Sequence, residues 1–215
     1  MEGLFMEYVL CTVIGYLLGG VNPSFLFAKA KGFDIRQKGS GNAGASNAAI
    51  TMGKKWGVIS ALLDILKAFL AYKLAEVLFA EKTMIGLAAA LSCILGHIFP
   101  VYMKFRGGKG LACLGGTILA YDWRVFLALL GLEIVIILVT KYICIVSISA
   151  PFLFSASYGF LEKSWLGALL ILVPAVVMFF KHIPNLQRIK AGKEIRISFL
   201  WKGKKELDRV GAKDE

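Results

Sequence analysis

The chain has 215 residues, 58% of them hydrophobic, with a mean hydropathy of +0.71 and a net charge of +11. Soluble domains are roughly 45–50% apolar, so this composition excludes an ordinary soluble protein and predicts a bundle of membrane helices. In a soluble protein the positive charge would favour a nucleic-acid partner. Beside long apolar runs it predicts instead a basic face that attracts membrane lipid or anionic substrates, and we expect no nucleic-acid partner.

Seven apolar segments follow one another along the chain, at about 5–28, 56–80, 84–102, 110–121, 124–140, 143–160 and 164–181. A helix needs about 20 apolar residues to cross the hydrocarbon, so the fourth segment is too short to span it alone. Gly115 and Gly116 in that segment allow close helix packing. We interpret residues 1–215 as one all-α domain, an integral membrane bundle of about seven transmembrane helices, with a basic tail at about 198–215.

Two further features concern processing and redox state. Glu2 and Glu7 stand where a cleavable signal peptide carries basic residues, so we expect the first apolar segment to remain in the protein. The four cysteines lie in or beside apolar runs at no metal-ligand spacing. We therefore expect them to be small buried hydrophobic side chains, without a disulfide and without a metal.

Basic residues are distributed unevenly between the connectors. The first, third and fifth connectors and the tail from Lys181 carry twenty lysines and arginines, whereas the other three connectors hold only Lys82, Arg124 and Lys163. Basic loops stay on the cytoplasmic side of a membrane. We therefore predict a multi-pass protein of the cell membrane with its N-terminus outside, its C-terminus inside and its active face cytoplasmic.

The first connector, residues 29–55, is dense in small polar residues, and positions 38–47 read KGSGNAGASN. Glycine lets backbone N–H groups converge on an anion, and Ser40 and Asn42 add hydrogen bonds without bulk. The pattern predicts an anion-binding loop about as well as it predicts a flexible surface loop.

The third connector contains Arg106, three glycines and Lys109 and leads directly into the fourth segment. A glycine-rich turn with a lysine at a helix N-terminus is typical of a phosphate site. It is not a P-loop, because no strand precedes it and no serine or threonine follows the lysine. A plain membrane anchor would need the basic residues but not the glycines, so the pattern favours phosphate binding.

Ionisable residues also lie at the ends of, or inside, the apolar segments. His182 and Asn185 come just after the seventh segment, and a histidine there is either a general base or a structural hydrogen-bond donor. Asp64 and Lys67 share a helix face, so we expect a structural ion pair. Glu133 lies deep in the fifth segment and should face the bundle interior.

Together these residues resemble the bacterial acyl-phosphate-dependent glycerol-3-phosphate acyltransferase family over roughly residues 15–197. Several gapped motifs occur in the family's order, which makes the resemblance specific. They are Gly15-Tyr16-Leu17-Leu18-Gly19, Asp34-Ile35-Arg36, Gly39-Ser40-Gly41-Asn42 with Gly44 and Asn47, Gly96-His97, Phe99-Pro100, Lys104-Phe105, Gly107-Gly108-Lys109-Gly110, Lys141-Tyr142, Ser147, His182, Asn185, Gly192 and Glu194.

The resemblance implies a membrane enzyme that moves an acyl group from acyl phosphate to the 1-position of glycerol 3-phosphate, forming lysophosphatidic acid for phospholipid synthesis. It implies no cofactor, no metal and no direct use of coenzyme A or acyl carrier protein. By matching position, the expected catalytic residues are His182, Asn185 and Ser40. The expected substrate-binding residues are Asn42, Lys104, Gly107, Gly108, Lys109, Gly110 and Ser147, and Glu194 is expected to be structural.

The chain departs from the family pattern at four positions, where it has Ile50 and Ile183 in place of arginine, Cys113 in place of threonine and Cys144 in place of serine. Ile50 matters most, because a bidentate guanidinium is a strong phosphate ligand. We expect Lys54 or Lys55 to compensate for it. Two alternatives stay open: a membrane carrier for a phosphorylated small molecule, and a non-enzymatic paralogue that binds one.

Overall fold

The computed structural model describes residues 2–80 and 84–210, and this part of the chain is all-helical, with no strand. Lys82 and the last five residues of the tail lie outside the described residues. In chain order the helices are α1 (Glu2–Gly20), α2 (Pro23–Ala30), α3 (Ala45–Met52), α4 (Lys54–Leu78), α5 (Ile85–Ile98), α6 (Leu111–Tyr121), α7 (Trp123–Thr140), α8 (Ile143–Leu161), α9 (Trp165–Lys190), α10 (Phe199–Lys202) and α11 (Lys204–Val210). Two short 3-10 turns lie at Ile35–Gln37 and Val101–Met103.

Each of the seven predicted apolar segments overlaps one of the longer helices, namely α1 and α4 to α9. Within the described residues, the stretches that are long and apolar enough to cross a membrane are Phe5–Ala30, Ile85–Met103, Trp123–Thr140, Ile143–Leu161 and Trp165–Lys190. The two remaining helices are different: α6 has only 11 residues, and α4 carries six charged residues among its 25. The bundle is therefore that of an integral membrane protein, while a total of seven spans and the orientation of its ends stay predictions.

Helix α7 lies on the outside of the bundle, because Glu133 is its one buried residue. Ser149 on α8 donates its hydroxyl hydrogen to the Glu133 carboxylate, with oxygen–oxygen distances of 2.8 and 2.9 Å. Glu133 thus faces the interior, as the sequence predicts. Trp123 and Trp165 are the first residues of α7 and α9, and both are largely exposed. Aromatic residues at such positions are typical of the membrane–water interface.

Several helices touch backbone to backbone at glycines. A Cβ atom added to Gly15 or Gly19 on α1 would lie 2.1 or 2.0 Å from a carbonyl oxygen of α5. The same atom on Gly96 of α5 would lie 2.1 Å from a carbonyl oxygen of α1, and on Gly116 of α6 it would lie 2.1 Å from one of α4. The close packing predicted for Gly116 is therefore confirmed, whereas the one predicted for Gly115 is wrong, because a Cβ atom there would meet only a ring carbon of Phe126 at 3.9 Å. Small residues allow this approach where lipid offers no hydrophobic driving force between helices.

The sequence-based end of the last helix at residue 181 is wrong. Helix α9 continues to Lys190 with Pro184 inside it, so His182 and Asn185 are helical rather than in a following loop. Proline removes one backbone donor, but long membrane helices tolerate this when neighbouring groups stabilise the helix. The longer helix places His182, Asn185 and Arg188 at three-residue spacing on one face.

The expectation that the cysteines are buried apolar side chains is confirmed. All four cysteines are buried and free, so they are the small apolar side chains that the sequence predicts. The main core cluster combines residues of α4, α5, α6, α8 and α9, including the fully buried side chains of Leu87, Ile94, Phe154, Ile171 and Met178. This core holds the helices whose ends surround the site described next.

Candidate active site

A cavity of about 530 Å³ opens at one end of the bundle, between the first half of α4, the starts of α6 and α8 and the ends of α5 and α9. Helix α3 and the segment that follows α9 complete its walls. Most of the site residues predicted from sequence meet here, although they come from distant parts of the chain. Those that line the cavity are Ser40, Asn42, Lys109, Gly110, Ser147, His182, Asn185 and Glu194.

A chain of polar contacts crosses one wall of this cavity. Lys109 Nζ donates to Asn185 Oδ1, and Asn185 Nδ2 donates to Glu194 Oε1 at 2.6 Å. The other oxygen of Glu194 accepts from Arg188 Nε at 2.6 Å. Because both ends of the Asn185 amide are bound, its orientation is fixed and its oxygen faces the lysine. Glu194 is buried and holds two of these residues, which agrees with the structural role expected for it.

Lys109 stands where the third connector meets the start of α6. Burial lowers the pKa of Lys109 to about 8, and the nearby positive charge of Arg188 adds to this effect. Gly110, Leu111 and Ala112 follow it along the cavity wall, so the N-terminal end of α6 faces the cavity. A helix N-terminus carries partial positive charge and unsatisfied N–H groups. The lysine and this helix end together form a wall that suits a phosphate group.

His182 is 2% exposed and lines the same cavity. Its Nδ1 lies 2.7 Å from the carbonyl oxygen of Met178, one turn earlier in α9. A carbonyl oxygen only accepts, so Nδ1 carries a hydrogen, and the lone pair of the neutral ring is then on Nε2. This is the tautomer in which Nε2 can take a proton from a substrate hydroxyl.

The glycine pair of the third connector does not line the cavity, contrary to the substrate-binding role expected for it. Gly107 N donates to Ile98 O at 3.1 Å, and Gly108 N donates to His97 O at 3.0 Å. These N–H groups close the loop onto the end of α5 and are already used. A Cβ atom on Gly108 would lie 2.0 Å from His97 Nε2, so the glycines are required by packing.

Lys104 is also outside the cavity, so the structure does not support the binding role expected for this residue. It follows the second 3-10 turn in the left-handed region, at φ 55°, and its side chain is exposed. The connector therefore divides at residue 109. Its first part packs on α5, and only its last two residues reach the cavity.

The first connector is built around Asn47, which is fully buried. Asn47 Nδ2 donates to Ile35 O and Lys38 O at 2.9 and 3.0 Å, while its Oδ1 accepts from Ser40 N at 2.7 Å. These three bonds fold the glycine-rich stretch around one side chain. Ser40 and Asn42 are thereby held at the cavity wall, which favours the binding interpretation over that of a flexible loop.

A buried cluster that the sequence did not assign to the site lies at the back of the cavity. Asp64 and His97 both line it, and Lys67 Nζ lies 2.7 Å from Asp64 Oδ1 and 3.0 Å from His97 Nδ1. The contact with Asp64 is ionic, since that oxygen makes no well-angled hydrogen bond. Lys67 also donates to Gly19 O at 2.9 Å and Val21 O at 2.6 Å.

This cluster contains the one group of potential metal ligands found in the described residues, formed by Asp64, His97 and Cys113. The ammonium group of Lys67 already neutralises Asp64 and contacts His97 Nδ1. A divalent cation would have to displace that ammonium, so the donor set suits an ion pair better than a metal. The expectation of no metal stays a prediction.

Ile50 lines the cavity, so an apolar side chain stands in the wall where the family pattern has arginine. The expected compensation by Lys54 is not supported, because Lys54 Nζ donates to Leu200 O at 2.6 Å and lies outside the lining. Lys55 does not line it either. Other cations line the cavity from α9 and the segment after it. They are Arg188, Lys193 and Arg196.

An apolar helical bundle with a cavity at one end that is lined by several cations defines an integral membrane protein whose cavity suits an anionic ligand. Comparison with known proteins identifies the family. Residues 9–192 match the family model described as glycerol-3-phosphate acyltransferase, and this chain belongs to that family.

Its curated relatives include the glycerol-3-phosphate acyltransferase of Thermotoga petrophila, 37% identical over 194 residues that cover 90% of this chain and 98% of the relative. Glycerol-3-phosphate acyltransferase 1 of Oceanobacillus iheyensis is 36% identical over 210 residues, covering 93% and 99%. A similar solved structure is PlsY (YgiH), an integral membrane glycerol 3-phosphate acyltransferase, in its glycerol 3-phosphate form. It has a TM-score of 0.81 and 31% identity, over 90% of this chain and 96% of that chain.

Proposed function

We propose that this protein transfers an acyl group from an acyl phosphate to the 1-hydroxyl of glycerol 3-phosphate, forming lysophosphatidic acid and releasing phosphate. One observation carries the proposal: a single cavity joins a cationic wall, with Lys109 and the α6 N-terminus, to an apolar wall that includes Ile50 and Ile143. Such a cavity suits one small anion and one amphiphilic anion together. The similar PlsY, known in glycerol 3-phosphate and lysophosphatidic acid forms, supports the same pair of ligands.

In this mechanism the 1-hydroxyl oxygen attacks the acyl carbonyl carbon, the bond from that carbon to the phosphate oxygen breaks, and phosphate leaves with the bonding electrons. Acyl phosphate is a mixed anhydride and already activated, so no covalent enzyme nucleophile is required. Lys109 and the α6 N-terminus neutralise phosphate charge and hold the two substrates together. Asn185 aims the lysine, and Ser40, Asn42 and Ser147 supply hydrogen bonds.

The hydroxyl proton has two candidate acceptors, His182 Nε2 and an oxygen of a substrate phosphate. The tautomer fixed by Met178 O supports the first. If His182 is the base, we expect His182→Ala to lower kcat by about 10²–10⁴, with a much smaller change in KM. A loss confined to KM would assign the proton to the phosphate and leave His182 a binding role.

The donor is tested with purified protein and labelled glycerol 3-phosphate, offered acyl phosphate, acyl coenzyme A or acyl carrier protein in parallel. We expect transfer from acyl phosphate alone, with no added metal or cofactor, and a product that comigrates with 1-acyl lysophosphatidic acid. Transfer from a thioester in preference to acyl phosphate would contradict the donor. Absence of transfer from every donor, with bound glycerol 3-phosphate retained, would favour the carrier or the non-enzymatic paralogue.

We further propose that the cavity faces the cytoplasm in the cell membrane, with the N-terminus outside. The support is the charge distribution, because the connectors that build the cavity carry most of the basic residues. Single cysteines placed at Lys38 and Lys202 should be shielded from an impermeant reagent in whole cells, and one at Lys82 should be labelled. Labelling of the Lys38 position in intact cells would reverse the orientation.

A further inference from the structure

The family match ends at residue 192, yet the cavity wall continues beyond it. We call residues 193–210 the strap. It contributes eight lining residues, five of them apolar: Lys193, Glu194, Ile195, Arg196, Ile197, Phe199, Leu200 and Val210. Residues outside the family's matched region thus form part of the wall of its candidate active site.

The strap is held in shape by an ion pair at its far end, between the buried carboxylate of Glu206 and the exposed Arg209. Glu206 is 4% exposed, and its carboxylate accepts hydrogen bonds from Arg196 N at 2.9 Å, Ser198 Oγ at 3.0 Å and Arg209 Nη2 at 2.6 Å. Arg209 also donates to Glu194 O at 2.6 Å. A buried carboxylate with several charge-assisted and neutral donors is strongly held in position. The pair therefore fixes the strap relative to Glu194, which itself holds Asn185.

The strap is hydrogen-bonded to two other parts of the chain, the residue before α8's N-cap and the start of α4. Ile197 N donates to Lys141 O at 2.8 Å, just before α8, and Lys54 Nζ at the start of α4 donates to Leu200 O at 2.6 Å. The strap therefore starts at the end of α9, passes the start of α8 and is bonded to the start of α4. Three helix ends that surround the cavity are linked by this one segment.

The apolar side chains of the strap line the cavity and differ in their exposure. Ile195, Ile197 and Phe199 are partly buried, whereas Leu200 and the neighbouring Trp201 are 51% and 66% exposed. Across the cavity stands Ile50 of α3. Exposed leucine and tryptophan beside lysines are typical of a segment that lies at the membrane interface.

We infer that the strap is the acyl-chain wall of the site: the chain of the acyl donor lies against Ile195, Ile197, Phe199 and Leu200 and enters from the membrane interface. An acyl phosphate is anionic at one end and apolar along the rest. With its phosphate at the cationic wall, its chain needs an apolar surface that leads to lipid, and the strap provides one. The strap therefore sets how strongly the enzyme prefers long acyl chains. This inference rests on the proposed function.

Phe199→Ala tests the wall directly, with Trp201→Ala as the matched control in the same segment but outside the cavity lining. Full-length purified protein is assayed with short-chain and long-chain saturated acyl phosphates. We expect Phe199→Ala to lower kcat/KM for the long chain by about tenfold relative to the short chain, because apolar surface contributes roughly in proportion to chain contact. Phe199→Leu should restore most of the preference, and the KM for glycerol 3-phosphate should stay within about twofold. Trp201→Ala should leave the preference unchanged.

The outcomes separate this inference from the proposed function. Normal wild-type transfer with equal losses for both chain lengths in Phe199→Ala would overturn the wall and leave the proposed function standing. Absence of wild-type transfer from acyl phosphate would remove both. A second variant, Glu206→Gln, weakens the ion pair without touching the cavity lining. It should reduce the chain-length preference in the same direction, and an unchanged preference together with increased proteolysis after residue 192 would overturn the strap's role.

Discussion

Two lysines close to the cavity show how a structural cation differs from one that we propose binds substrate. Lys67 Nζ has two backbone carbonyl acceptors and also contacts Asp64 and His97, so the three hydrogens of its ammonium are fully used. Among the described residues, Lys109 Nζ has a single hydrogen-bond acceptor, the amide oxygen of Asn185. Lys109 thus keeps donors for a substrate anion. The number of acceptors, rather than burial or charge, distinguishes the two roles.

The largest expected effect comes from a variant that tests the structural role of Lys67. Lys67→Met leaves Asp64 buried without its ammonium partner, and we expect it to lower the free energy of unfolding by about 3–5 kcal/mol. Thermal unfolding in detergent measures this loss. The double variant Lys67→Met/Asp64→Asn removes both charges and should recover much of the stability. A single variant as stable as the wild type would show that the cluster is not an essential ion pair.

The proposed binding role of Lys109 is tested by Lys109→Ala, which should leave the unfolding temperature nearly unchanged. We expect a loss of about 2–5 kcal/mol of transition-state binding, since a desolvated partner of the substrate phosphate is removed. The measurement is kcat/KM with glycerol 3-phosphate and acyl phosphate. Lys104→Ala is the matched control, because it removes the same charge from an exposed position of the same connector. Equal losses in both variants would mean that only the overall charge of the face matters.

The pH dependence sharpens the comparison further. Burial lowers the pKa of Lys109 to about 8, so the free enzyme carries this charge below pH 8 and loses it above. We expect the KM for glycerol 3-phosphate to be lowest below that pH and to rise above it, by up to about tenfold per pH unit. Lys109→Arg stays protonated and should remove the rise. An identical alkaline limb in that variant would assign the titration to another group.

The smallest expected effect concerns the wall beside Lys109. Ile50→Arg adds a cation where Lys109, Arg188, Lys193 and Arg196 already line the cavity, so the KM for glycerol 3-phosphate should fall only by about two- to fivefold. Steady-state kinetics of the two proteins measure the difference. A wild type that is nearly silent with glycerol 3-phosphate and becomes active in Ile50→Arg would instead identify a paralogue for another acceptor.

Hydropathy and charge predict the main helices well, because each apolar segment overlaps one. The exact end of α9 is not predictable in this way, since Lys181 and Pro184 resemble a helix end in sequence. The contacts of Asn185 and Arg188 with Glu194 lie where the helix continues, and such contacts leave no local pattern. The three-residue spacing from His182 through Asn185 to Arg188 was the available signal for one helical face.

Site residues that belong to a sequence motif were predictable. Residues that reach the cavity only because of the fold were less so. Ser40 and Lys109 reach the cavity as their motifs indicate, but Gly108 resembles a phosphate ligand in sequence and packs on His97 instead. A glycine needed for backbone binding and one needed for packing look the same in a sequence. The position of the strap in the cavity wall was not predictable, because its lysines and arginines suggest only a basic tail.

The glycine contacts between α1 and α5 also limit how this protein can vary. At Gly15, Gly19 and Gly96 even the smallest side chain would overlap a carbonyl group of the opposite helix. His97 comes directly after Gly96, so any separation of the two helices also moves the ring against which Gly108 packs. In a saturation mutagenesis map scored by acyl transfer, these three positions would accept one amino acid each. Exposed apolar positions on α1, such as Leu10 or Val13, would tolerate exchange for other apolar residues.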